Sequence, residues 1–150
     1  ILLGRLGSTP IGKIMTPFRY KVSLRFTGHV LEPAAISERL GLAPQFARKM
    51  GAARTTPKGD PLEGTYASNY CLFKLDPRTD EPLDAMLLRV VSDLDANRDL
   101  FLKVSETGGT SEFFVGWFAP RNSGVTFNHQ LLSKLADLRI NLGLNVYGGD

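Results

Sequence analysis

The sequence predicts an α+β domain, a mostly antiparallel sheet of four or five strands with helices packed mainly on one face. Two segments, Tyr20–Thr27 and Arg139–Tyr147, alternate strictly between apolar and polar residues, as half-buried strands do. Between them run apolar stripes at helical spacing. The chain has 150 residues, 43% hydrophobic and 22% charged, which is one ordinary domain and excludes disorder.

Residues 1–14 lack methionine at the start, and Gly4, Gly7, Pro10 and Gly12 break any helical pattern. They read as a leader or added segment outside the fold, with residues 15–150 forming the single domain; a short added strand or a partner-binding arm is the other reading. In the first strand Tyr20, Val22, Leu24 and Phe26 face in, and Lys21, Ser23, Arg25 and Thr27 face out. Pro33 suits a first helical position and Gly41 a helix stop, which predicts a short helix with Ala35, Ile36 and Leu40 as its stripe. From Gln45 to Gly64 periodicity is lost among glycines and prolines, predicting a long mobile loop. Asn69–Leu75 reads as the second strand. Asp80 is placed to cap a helix starting near Glu81, with Leu83, Met86, Leu87, Val90, Val91 and Leu94 on its buried face. Asn97 is placed to cap a second helical piece that ends at Gly108 and Gly109. Glu112–Phe118 is the third strand, Val125–Phe127 a short extended piece, and Asn128 the cap of a helix carrying Leu131, Leu135 and Leu138. Arg139–Tyr147 closes the chain as a strand, with Ile140, Leu142, Leu144 and Val146 inward.

The order suggests two strand–helix–strand halves, although their residues match poorly. The third strand departs from alternation, being apolar at both parities: Phe113, Val115 and Trp117 against Phe114 and Phe118. Either it is covered on both faces, or its second face carries an apolar stripe that something else covers.

The run 20–26 (YKVSLRF), the run 32–44 (EPAAISERLGLAP), the basic segment after it, FVGWF at 114–118, a Leu-rich helix and the closing LNVYG resemble the bacterial family called domain of unknown function 4279. The resemblance spans about 18–148. It implies a bacterial, cytoplasmic α+β domain and carries over no catalytic residue. The start without methionine in so small a unit also resembles products of mobile gene cassettes (integrons).

Chemistry-bearing motifs are sparse. His29 and His129 stand in no metal-ligand spacing, and one cysteine, Cys71, excludes an internal disulfide and a four-cysteine zinc site. No phosphate-loop, dinucleotide or nucleophile-elbow motif occurs. No catalytic residue, metal or cofactor is therefore assigned, and an enzyme is the least favoured reading. No apolar run reaches the ~18 residues of a spanning helix.

The formal charge is +3, but Arg5 and Lys13 lie in the leader, leaving 16 basic against 15 acidic residues from Met15 onward. Distribution says more than the total. Arg48, Lys49, Arg54 and Lys58 occupy an acid-free stretch, whereas residues 76–99 hold seven acids against Arg78, Arg89 and Arg98. The first set is a candidate anion contact. The other candidate is the outward sheet face, where a stripe centred on Trp117 or its strand neighbours, rimmed by Arg25 and Tyr147, would form a protein contact. A homodimer or protein partner through that face is the leading expectation. A small ligand held between sheet and basic loop comes second. Nucleic acid comes third, because the domain is near neutral and the mode wants a basic surface.

Overall fold

The computed structural model describes residues 18–119 and 122–148. The leader assigned to residues 1–14 lies outside them. Among the described residues seven strands form: β1 (Arg19–Gly28), β2 (Phe46–Arg48), β3 (Ala53–Thr55), β4 (Pro61–Thr65), β5 (Asn69–Leu75), β6 (Thr110–Ala119) and β7 (Ile140–Gly148). The helices of the described residues are α1 (Pro33–Leu40), α2 (Leu83–Leu94), α3 (Arg98–Glu106) and α4 (His129–Asp137), and a 3₁₀ turn, Asp95–Asn97, joins α2 to α3. The main sheet has the order β2-β5-β1-β6-β7, antiparallel except for β6 and β7, and β3 and β4 form a small separate sheet. This is the α+β architecture the alternation predicts. The two halves are not equivalent, because β1 and β5 run antiparallel while β6 and β7 run parallel around α4.

The core lies between the helices and one parity of the sheet. Val22, Leu24 and Phe26 from β1, Cys71 and Phe73 from β5, and Phe113 and Val115 from β6 are all buried there. They meet the apolar stripes of α2, α3 and α4. Transfer of such side chains from water, about 1.5–3 kcal/mol each, is the main stabilising term. In β7 only Ile140 is fully buried. Leu144 and Val146 share its parity but are 45% and 61% exposed, since this edge strand runs past the helix layer.

Local signals hold at most element ends. Gly41 stops α1 in the left-handed region at φ 67°, where a Cβ is disfavoured. The Asn128 side chain accepts a hydrogen bond from the Leu131 amide and caps α4. Asp80 is a correction: it sits in the turn at φ 56°, and Pro82 precedes α2 without a side-chain cap. Glu81 organises this end instead. Both its oxygens accept from Arg89 at 2.8 Å, and one accepts from the Arg78 amide at 3.0 Å. Asn97 precedes α3 but makes no capping bond, and 125–127 forms no strand.

The segment 45–64 corrects the long-loop expectation. Its residues are mostly exposed, but they build β2 on the sheet edge and the β3–β4 pair. Buried Asn69 ties it down, its side chain accepting from the Met50 amide and donating to the Leu31 carbonyl. Backbone bonds of Gly51 and Tyr66 close the small sheet.

Candidate functional site

Side chains of the opposite parity form the second face of the main sheet. Every described residue on it is half-buried or exposed except Gly116, which lies under the Phe118 ring. Strand pairing sets the rows across this face: Phe46, Leu72, Arg25, Glu112 and Asn141 share one, and Lys74, Ser23, Phe114 and Gly143 the next. Paired residues point to one side, so five cations converge here, namely Arg19, Lys21 and Arg25 of β1, Lys74 of β5 and Arg48 of β2. Glu112 is the one carboxylate on these rows. Its oxygen lies across Gly143, where an added Cβ would come within 2.9 Å of it. None of the five cations forms an ion pair among the described residues.

Aromatic rings interleave with the cations. The Arg25 guanidinium lies 3.7 Å from the Phe114 ring centre, with its Nε donating to Ser23 at 3.2 Å. Phe118 and Tyr147 stack at 4.8 Å and 5°. The Asn145 amide donates to the Tyr147 hydroxyl at 2.6 Å and fixes that ring. At the opposite edge the Arg48 guanidinium sits among Phe46, Tyr66 and Tyr70 at 5.2, 5.3 and 4.8 Å. Such contacts hold long basic side chains in place, and at Arg48 they do so with Nε buried and without a hydrogen-bond partner. Between these edges Lys21, Arg25, Lys74, Phe114 and Phe118 line a groove of about 330 Å³, and the carboxylate residue Asp76 lines it with them.

The candidate residues from sequence divide. Arg25, Arg48 and Tyr147 share this face. Arg25 stands on the central strand, not at a rim. Lys49 does not join them and pairs with Glu32 at 3.4 Å. Arg54 donates to the Glu63 carbonyl on β4, and Lys58 is exposed in the turn between β3 and β4. The four cations of 48–58 are thus not one surface. Trp117 is corrected outright. It belongs to the helix-covered parity, is 8% exposed, stacks on Phe18 at 4.3 Å and donates from Nε1 to Ser123 at 3.0 Å. The stripe on the second face is Phe114 and Phe118. Lys74, Phe46 and Tyr70 were missed because only strand order brings β2 and β5 beside β1, and Arg19 because the alternation was read from Tyr20 onward. Their outward parity was the available signal.

The groups outside this face offer little chemistry. Burial pushes the Cys71 thiol up to about 12, which keeps it protonated and inert at neutral pH. Arg89 holds the Glu81 carboxyl down at about 2 as a structural ion pair. Burial raises the Tyr20 phenol, whose hydroxyl donates to the Glu81 carbonyl. Among the described residues no three His, Cys, Asp or Glu side chains converge as metal ligands, and no helix is long and apolar enough to cross a membrane.

Fold and face together define an α+β domain with one sheet face under helices and the other bearing cations and aromatic rings. Residues 18–149 match the model of a family described as a domain of unknown function (DUF4279), and the chain belongs to that family. No curated protein and no solved structure matches the chain.

Proposed function

We propose that this protein is a non-catalytic binding module whose second sheet face holds an anionic partner. The observation that carries the reading is the convergence of Arg19, Lys21, Arg25, Lys74 and Arg48 on a face whose carboxylates are Glu112 and the groove-lining Asp76. The near-neutral total conceals this segregation, since the seven acids of 76–99 fall mainly on the turn and helices beyond the sheet. A field of one sign on one face raises the local concentration of an oppositely charged partner.

A second copy of the chain suits the same face poorly. A two-fold contact would press this predominantly basic face against the same basic face, and like charges in contact cost several kcal/mol.

Heparin, a polyanion without bases, is the probe. Wild type is expected to bind heparin in a salt-dependent manner, and a Lys21→Gln, Arg25→Gln, Lys74→Gln triple variant to bind at least tenfold more weakly. A Lys103→Gln, Lys134→Gln variant on the helix layer is the control. Equal heparin affinity in the two variants, or no binding by wild type, would remove this function.

A further inference from the structure

The cations explain attraction for any polyanion, but they do not explain the rings. Phe46 on β2 and Tyr147 on β7 are 44% and 48% exposed, and they stand at the two opposite edge strands of the basic face. Four strand spacings of about 4.8 Å across the sheet and a six-residue offset of about 3.3 Å per residue along it separate them, a span of about 28 Å. Tyr147 is backed by the Phe118 ring and held by Asn145, so it is a fixed plate with an exposed side. Phe46 is backed less closely, by Tyr70 at 6.1 Å and by the Arg48 guanidinium. Lys21, Arg25 and Lys74 occupy β1 and β5, two of the three interior strands.

We infer that the partner is a single strand of nucleic acid, with bases stacking on Tyr147 and Phe46 and phosphates crossing Lys21, Arg25 and Lys74 between them. The inference rests on the anionic-partner reading and goes further by assigning the rings a ligand. A basic groove with flat side chains along it suits unpaired bases, which present a π-face whatever their identity. A duplex keeps its bases inside and reaches only the cations. An acidic peptide likewise uses the cations and leaves the plates unused. Three or four neutralised phosphates predict a slope of about −2 to −3 for log affinity against log salt.

The test uses the full chain and a fluorescein-labelled oligothymidylate of about ten nucleotides, in the size range of single-strand sites, followed by anisotropy. Tyr147→Leu and Phe46→Leu keep apolar bulk and remove the plates, and Tyr147→Phe keeps the plate. Far-UV circular dichroism checks that each variant is folded. Each leucine variant is expected to lose about tenfold or more in oligonucleotide affinity with heparin binding unchanged, and Tyr147→Phe to stay near wild type. Leucine variants that bind the oligonucleotide as wild type does, while heparin still binds, would overturn the stacking inference and leave the anionic face standing. A blunt duplex that binds as tightly as the single strand would overturn it too. Failure of both heparin and oligonucleotide to bind wild type would remove both readings.

Discussion

Replacing Trp117 by alanine tests the face assignment on which the functional reading depends. The indole is 8% exposed, stacked on Phe18 at 4.3 Å and 20°, and hydrogen-bonded to Ser123 at 3.0 Å. Truncation removes a large apolar side chain from the helix side of β6 and leaves a cavity that Phe18 only partly fills. Trp→Ala and Phe→Ala changes at such sites cost about 3–5 kcal/mol. The lost hydrogen bond adds little, because Ser123 is half-exposed and turns to water. For a chain of this size each kcal/mol lowers the melting temperature by about 2–4 °C, so a fall of roughly 10 °C or more is expected. Phe118 sits one residue on, with the opposite parity and half-exposed, and Phe118→Ala should cost clearly less. Urea titration followed by far-UV circular dichroism measures both without relying on the removed fluorophore. A Trp117→Ala loss below about 0.5 kcal/mol, the scale of surface changes, or a larger loss in Phe118→Ala, would refute the parity and with it the assignment of the second face.

Gly109 lies where the end of α3 meets β1: an added Cβ would come within 2.7 Å of the Thr27 carbonyl oxygen and 3.0 Å of that of Val104. Gly109→Ala should therefore cost about 1–3 kcal/mol in urea titration, whereas Gly124→Ala, with nothing within 4 Å, should not destabilise. Glu81 ionises at about 2 in the fold instead of its ordinary 4.5, so its contribution is full above pH 4.5 and is lost as pH falls through about 2. The stability gap between wild type and Glu81→Gln should narrow over that window, and a constant gap between pH 5 and 2 would contradict the ion pair. The Cys71 thiol, buried and raised to about 12, should resist a thiol reagent at pH 8 until denaturant is added; rapid native labelling would show that the strand opens.

Local patterns determined a good part of this protein. Alternation in Tyr20–Thr27 and Arg139–Tyr147, the helical stripes, Gly41 and Asn128 each follow from the geometry of a few neighbouring residues, and they led to the right architecture. The same alternation put Arg25 and Tyr147 on the outward face. What neighbours cannot encode is which distant strand lies alongside. The order β2-β5-β1-β6-β7 places Lys74 beside Ser23 and Phe46 in the row of Arg25, across sequence separations that no period reports. The third strand was ambiguous for a related reason: apolar residues at both parities leave local pattern with no preferred side. The helix layer resolved it by burying Phe113 and Val115, with Trp117 covered on the same side by Phe18 and Ser123, and leaving Phe114 to Arg25 and Phe118 to Tyr147. Net charge misled because it sums over the whole chain, whereas a partner meets one face. Only the packing of helices on one side of the sheet separates the cations from most of the acids.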